Sequence, residues 1–350
     1  MKTSFASLTD ILDHGFDTVI DVRSPAEFAE DHVPGAINLP ALSNEERARV
    51  GTIYVQEAPF KARKIGAALV ARNVAGHLDG PMKDMAGSWR PLVYCWRGGQ
   101  RSGSFASILT QIGWRAEVIE GGYQSYRNLV HDVLYKEAVT HRLILLDGNT
   151  GTAKTDILHR LRRLGVQVLD LEGLANHRGS LLGLMAGGQP AQKGFETALA
   201  CALAQMDPTR PIIVEAESSK VGERVVPPTL WAAMKAASRI EIDAPLDARA
   251  QYLADAYVDI SADTDGLTNK LEILRRHRGG LVDGWIALLQ AGALKALARA
   301  LMDEHYDPTY RSGRTRHGAD VLQRFDVADL GIDARADLAG RIAAWVETVS

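Results

Sequence analysis

Two apolar runs in this chain each break off in a glycine-containing turn and resume as a helix, and that strand, turn, helix order restricts the fold more than any other feature. The first is Val93-Tyr94-Cys95 running into Trp96-Arg97-Gly98-Gly99-Gln100-Arg101-Ser102. The second is Leu143-Ile144-Leu145-Leu146-Asp147 running into Gly148-Asn149-Thr150-Gly151-Thr152-Ala153-Lys154-Thr155. Short continuous apolar runs bounded by such turns read as strands buried on both faces, and strands that alternate with helices pair in parallel beneath those helices. Further runs at 18–23, 116–119, 166–170, 212–215 and 239–243, with helical stretches at 60–74, 102–112 and 123–139, continue the alternation. The expected class is α/β, built as two sheet-containing halves divided near residue 139, with a mostly helical region after about Leu246.

The first turn is built to make a thiolate. Backbone N–H groups of a tight turn form an anion-binding concavity and a helix N-terminus adds positive potential. Arg97 and Arg101 add full charges, so Cys95 is expected to ionise well below the usual ~8.5. Gly98, Gly99 and Ser102 line the same loop, and the Cys-x5-Arg spacing from Cys95 to Arg101 suits a tetrahedral oxyanion. The chain's other cysteine, Cys201, lies in the apolar helical run 195–203 and reads as core. With two cysteines a disulfide framework is not expected, and a reducing cytoplasm suits Cys95. The start of the chain lacks a signal-peptide pattern and no run approaches the ~18 apolar residues of a membrane span, so the expected location is cytoplasmic, with no membrane partner.

The second turn nearly matches the phosphate-binding loop Gly-x4-Gly-Lys-Ser/Thr. Gly148 and Gly151 shape it, Lys154 neutralises a diphosphate, and Thr155 offers a hydroxyl to a bridging magnesium ion. Ala153 departs from the pattern, because a Cβ is expected to crowd a backbone that approaches phosphate closely. Loops at the carboxyl ends of parallel strands face the ligand crevice. Asp170, Glu172, His177, Arg178, Ser180 and Glu215 therefore join the candidates for a base, a clamp or a metal-orienting group, although no metal ligand set is expected.

A formal net charge of -3 gives no overall basic field, so a nucleic acid would have to be held by local patches. Two dense ones stand out: Arg275, Arg276 and Arg278, and Arg311, Arg314 and Arg316. Arg160, Arg162 and Arg163 line the helix after the phosphate loop. Trp231 and Trp285 sit in apolar helical runs and read as core, whereas Tyr310 could stack on a base.

Three segments in order, Asp21-Val22-Arg23-Ser24-Pro25-Ala26-Glu27-Phe28, His32-Val33-Pro34-Gly35-Ala36-Ile37-Asn38-Leu39-Pro40 and the Cys95 loop, resemble the rhodanese family, whose cysteine carries a transferable chalcogen. The loop is one residue longer than in common sulfurtransferases, and its Cys-to-Arg spacing matches dual-specificity phosphatases. From about residue 8 to 345 the chain resembles the tRNA 2-selenouridine synthase family. The carrying motifs are the Cys95 loop, the phosphate loop, Ala175-Asn176-His177-Arg178-Gly179-Ser180, and Glu217-Ser218-Ser219-Lys220-Val221-Gly222 running to Val226-Pro227. The resemblance implies a rhodanese-like domain over 8–138 and a P-loop NTPase-like domain with a helical C-terminal extension over 139–350. It implies exchange of sulfur for selenium in the wobble 2-thiouridine of tRNA. Selenophosphate would be the donor and an S-geranyl base, made from geranyl diphosphate, the intermediate. Cys95 would then take selenium as a selenylsulfide or help to position it, and no tightly bound cofactor is expected. Two rivals fit the same residues: a Cys-x5-Arg phosphatase fused to a nucleotide-binding domain, and an ATP-binding redox sensor.

Overall fold

The computed structural model describes residues 1–178, 185–256, 264–308 and 320–349. It divides into two compact units, one formed by Met1–Glu137 with Pro190–Gln205 and the other by Ala138–Gln189 with Met206–Ser350.

The first unit is a five-stranded parallel sheet. Its strands are β1 (Lys2–Thr3), β2 (Thr18–Asp21), β3 (Ile37–Asn38), β4 (Pro91–Tyr94) and β5 (Glu117–Ile119), in the spatial order β1-β5-β4-β2-β3. All four residues of β4 are buried, as a central parallel strand covered on both faces requires. One face carries α3 (Asn44–Gln56), α4 (Pro59–Asp79) and α5 (Gln100–Ile112), whose Leu69, Val74, Phe105 and Leu109 pack on Ile20, Val93 and Val118. On α1 (Leu8–Leu12) and α6 (Gly122–His131) packs α9 (Gln192–Ala204), a helix remote in sequence. A polar cluster sits there: Asp31 accepts from the Tyr123 and Thr197 hydroxyls at 2.7 and 3.0 Å, and Arg127 pairs with Glu196. The helix expected over 123–139 is regular to His131 and then widens into a π turn over Asp132–Lys136.

The second unit is also a five-stranded parallel sheet, formed by β6 (Leu143–Gly148), β7 (Gln167–Leu169), β8 (Ile212–Glu215), β11 (Arg239–Asp243) and β12 (Val321–Asp326), with spatial order β12-β11-β6-β8-β7. A separate two-stranded ribbon, β9 (Lys220–Val221) with β10 (Arg224–Val225), follows β8. Between β6 and β7 runs α7 (Lys154–Arg163), and after β7 come α8 (Leu171–Leu174) and, past β10, α10 (Pro228–Ala236). Ile157, Leu158 and Leu161 of α7 join Ile144, Ile213, Ile240, Leu338 and Ile342 in one core. The last two of these lie on the C-terminal helix Ile332–Val349.

Among the described residues after Leu246 the chain is mostly helical, as expected, apart from β12: α11 (Leu246–Ala256), α12 (Thr264–Ile273), α13 (Arg275–Arg278), α14 (Leu281–Gln290) and α15 (Leu294–Leu301) precede the strand, and the C-terminal helix is α16. A satellite core on α12, α14 and α15 centres on Trp285, 1% exposed, with Leu271, Leu289 and Leu297. Trp285 donates its indole N–H to Glu304 at 2.6 Å and is core, as its setting in sequence implied.

Candidate functional site

Strand β4 ends at Tyr94 and delivers Cys95 into the turn that opens α5. The sulfur is buried, with the Gly99 N–H at 3.3 Å and the Ser102 hydroxyl at 3.2 Å donating to it. Burial alone would push the thiol up, but the hydroxyl and N–H of Ser102, the charge of Arg101 and the Gly99 N–H outweigh it and lower the pKa. Arg101 is in turn gripped by Glu27, Nη1 to Oε2 at 3.0 Å, and Glu27 also meets Arg47 at 3.1 Å. Burial pushes Glu27 up, yet the Arg101 guanidinium, the Ser24 N–H and Arg47 bring it to about 2. Arg97 takes a different place: it is exposed and donates through Nε to Gln124 at 3.1 Å.

The two upstream motifs hold this loop in place. Arg23, 1% exposed, makes a bidentate pair with Asp21, and its guanidinium lies 3.8 Å from the centre of the Tyr123 ring. Asn38 donates to the Asp21 and Arg23 carbonyls at 2.9 and 3.0 Å, and the Val33 N–H donates to the Tyr94 hydroxyl at 3.1 Å. Ser24 and Glu27 form the capping box of α2 (Pro25–Glu30), which is what aims the Glu27 carboxylate at Arg101.

The turn opening α6 completes the cradle, and nothing in the sequence reading marked it. Gly98 and Gly122 both have positive φ, 63° and 61°. A Cβ on Gly98 would come within 2.6 Å of the Ile119 carbonyl oxygen, and one on Gly122 would run into the Cys95 carbonyl. This close packing lets the Tyr123 and Gln124 N–H groups donate to the Cys95 and Trp96 carbonyls at 2.8 and 3.0 Å. The carbonyls of the turn are thereby bound behind it, leaving donors for the sulfur side. Gly98 serves this packing.

In the second unit, β6 passes into the phosphate loop and α7 starts at Lys154. Lys154 Nζ donates to the Gly148 carbonyl at 2.8 Å, and the Thr155 hydroxyl donates to Glu172 at 2.8 Å. Gly151, at φ 85°, leaves room for Arg249, whose Cβ would otherwise lie 3.1 Å from an added methyl. Arg249 pairs with Asp307 at 2.8 Å and donates to the Thr150 carbonyl, which braces the loop from outside. Ala153 occupies the left-handed region at φ 61°, ψ 26°. Contrary to the expected crowding of phosphate, its methyl joins a buried cluster with Ala244 and Leu330.

A cleft of about 400 Å³ opens over this loop, lined by Lys154, Thr155, Glu172, His177, Arg178 and Glu217 among others. Glu217 was part of a sequence motif but carried no assigned role. Burial, the Glu172 charge and a hydrogen bond to Glu172 push its carboxyl up to about 8, against the pull of Lys154. Burial lowers His177, which is 6% exposed. Glu215 and Asp170 stand behind the cleft. Glu215, 2% exposed, accepts the Glu172 N–H at 2.6 Å, and burial with the nearby Asp170 charge raises it well above the usual carboxylate range. Asp170 caps α8 through the Gly173 N–H at 2.7 Å and meets His159 at 2.9 Å. Ser180 lies outside the described residues.

Of the basic clusters, Arg275 is tied to Glu272 and Asp283, and Arg278 donates to His305 at 3.0 Å. Arg276 is exposed. Arg311, Arg314 and Arg316, with Tyr310, lie outside the described residues. Among the described residues no group of three or more His, Cys, Asp or Glu side chains is arranged to hold a metal ion, and no helix is long and apolar enough to cross a membrane.

Residues 4–129 match the rhodanese-like domain, and residues 141–275 match the tRNA 2-selenouridine synthase AAA domain. A tRNA 2-selenouridine synthase of Nitrosomonas europaea is 33% identical over 82% of this chain and 77% of its own length. Those of Shewanella loihica and Pseudomonas syringae pv. tomato are 31% and 32% identical over 84% and 87% of this chain and 86% and 90% of theirs. An activated cysteine cradle in a rhodanese-like unit, a phosphate loop in the other, and relatives aligned across both place the chain in the tRNA 2-selenouridine synthase family, as an enzyme of tRNA modification.

Proposed function

We propose that the enzyme replaces sulfur by selenium in the wobble 2-thiouridine of tRNA, with selenophosphate as donor and an S-geranylated base as intermediate. The carrying observation is the pairing of two anion sites of different chemistry: a sulfur with hydrogen-bond donors aimed at it, and a helix N-terminus with a lysine over a cleft.

Geranyl diphosphate fits the second site. Its diphosphate would lie on the amides of the loop against Lys154, where neutralising the leaving group helps the allylic C1–O bond to break. The tRNA sulfur takes C1, diphosphate leaves, and the N3 proton of the thiouridine must go elsewhere. Glu217, its carboxyl raised to about 8, would accept it once ionised, so the step should quicken as pH rises toward 8. Thr155 would offer its hydroxyl to a magnesium ion, which would supply further charge against the diphosphate. Because no γ-phosphate is cleaved, this chemistry makes no demand for ATP, and no tightly bound cofactor is required.

Selenophosphate has the size and charge for the Cys95 loop, where the Gly99 N–H, Ser102 and Arg101 converge. Arg276, with Arg311, Arg314 and Arg316, is proposed to hold tRNA phosphates, and the target base would be turned out of its stack to reach the chemistry. The cytoplasm, which holds both tRNA and reduced thiols, is the proposed location. The division of labour is tested by assaying each half-reaction on purified variants. Cys95→Ala is expected to lose selenation and keep geranylation, and Lys154→Ala to lose geranylation. Equal loss of both activities in both folded variants would refute the scheme.

A further inference from the structure

The chemistry at Cys95 is constrained by electron count. Selenium in selenophosphate is already at the selenide level. A thiolate attacking that selenium would have to expel phosphorus with the bonding pair, as phosphite, and any other route to a sulfur–selenium bond needs an oxidant. Attack at phosphorus needs none. The loop has the matching geometry: a buried sulfur with the Gly99 N–H at 3.3 Å and the Ser102 hydroxyl at 3.2 Å, followed by Cys-x5-Arg spacing to Arg101.

Among the described residues, neither Glu27 nor Asp31 is placed to serve the loop as the general acid that a phosphatase of alcohol esters needs. Such a reaction must protonate the departing alkoxide. The carboxylate bound to Arg101 is Glu27, already engaged with Arg101, Arg47 and the Ser24 N–H and ionised down to about pH 2. Asp31 is 3% exposed and occupied by the Tyr123 and Thr197 hydroxyls. Hydroselenide is a weak base and departs without a proton from a general acid, so selenophosphate suits a cradle whose described groups at the sulfur are donors.

Resting on selenophosphate as the donor, we propose that Cys95 attacks its phosphorus, forming a phosphocysteine and releasing hydroselenide beside the loop. The Sγ–P bond forms as the P–Se bond breaks, and the selenium, still carrying its own proton, keeps the bonding pair. Hydroselenide then adds to C2 of the S-geranyl base, the C2–S bond breaks, and geranylthiol leaves with the selenium-borne proton. Water protonates N3 and hydrolyses the phosphocysteine to inorganic phosphate. No group is oxidised or reduced. Arg101 faces the phosphoryl oxygens, and Ser102 is a positioning residue that holds the thiolate until attack.

The test mixes the full-length enzyme with selenophosphate, quenches in acid at short times, and reads the adduct by intact and peptide mass spectrometry with 31P NMR. The same mixture is run with S-geranylated tRNA. The expected result is a phosphorylated Cys95 peptide without the selenium isotope envelope, lost in Cys95→Ala, with hydroselenide released in a burst of one per enzyme. In Ser102→Ala the burst slows at neutral pH and recovers as pH rises, which a merely structural defect would not produce. Selenium on Cys95, or selenated tRNA formed with no phosphocysteine at any time, overturns the proposal and leaves selenophosphate as donor. Failure of S-geranylated tRNA to gain selenium from selenophosphate overturns that donor assignment itself.

Discussion

Replacing Glu27 by Gln removes one negative charge from behind Arg101 and keeps the capping box, since Gln serves at that position as Glu does. Glu27 ionises at about 2 in the folded chain against an ordinary 4.5, a difference of about 2.5 units. At 1.36 kcal/mol per unit this linkage is worth about 3 kcal/mol, of which screening at the partly exposed Arg101 and Arg47 ends removes a part, leaving about 2 kcal/mol. The pKa is depressed, so the contribution is fully present above pH 4.5 and disappears as pH falls toward 2. Hydrogen exchange of β2 and β4 amides reports this unit alone, which matters because two-state unfolding of the whole chain is not assured for two units. Wild type should exceed Glu27→Gln by about 2 kcal/mol at pH 7, with the gap narrowing below pH 4.5 and nearly gone by pH 2. A gap that stays constant from pH 7 to pH 3 would show that Glu27 acts through packing and that its charge is not what grips Arg101.

Three other outcomes follow from the same geometry. Cys95 should react with iodoacetamide at a midpoint below that of an ordinary thiol, and Ser102→Ala should move that midpoint up, because the largest favourable contact to the thiolate is lost. Gly122→Ala should unfold or strongly destabilise the first unit, by about 2 kcal/mol or more, since a Cβ there meets the Cys95 carbonyl at a positive φ; thermal unfolding reads it, and a neutral result would mean the loop is not packed on α6 as described. Glu217→Gln should slow geranylation about 10- to 100-fold and remove the rise in rate that accompanies its ionisation near pH 8, whereas an unchanged pH profile would exclude it as the proton acceptor.

The central strands were legible: β2, β4, β6 and β8 carry short apolar runs, β11 sets Ile240 and Ile242 between charged residues, and all five lie where the sequence places them. Of the edge strands, β7 lies within the run at 166–170, but β1 and β12 were not marked. Five of the six residues of β12 are exposed and only Phe325 reaches the core, so the segment has no strand pattern to read. Helix α3 was also missed, with Ile53 its sole fully buried residue, although the Ser43 and Glu46 capping box announces its start. The thiolate and the phosphate loop were legible because their chemistry is local. Residues that act across the fold were not: Glu27 reaches Arg101 from 74 positions away, and Glu217 meets Glu172 only through the strand order. Helix α9 reads as an apolar helix in sequence, but no periodicity states that it packs on α1 and α6.

Ala153 shows the same limit in a single residue, and its energetics can be worked through. A non-glycine residue in the left-handed region costs about 1–2 kcal/mol. Glycine would relieve that strain, but it would lose a buried methyl, about 0.8 kcal/mol, and would add unfolded-state freedom worth about 0.5–1 kcal/mol. The methyl is only 4% exposed and packs with Ala244 and Leu330, so its loss is felt. The terms nearly cancel, and Ala153→Gly should change stability by less than about 1 kcal/mol. Ala153→Val keeps apolar contact but forces a β-branched side chain into the left-handed region, where it should cost more than 2 kcal/mol. Urea unfolding of the two variants separates the contributions. A Val variant as stable as wild type would show that the backbone at Ala153 relaxes out of the left-handed region, and the loop geometry on which Lys154 and Thr155 depend would then have to be redrawn.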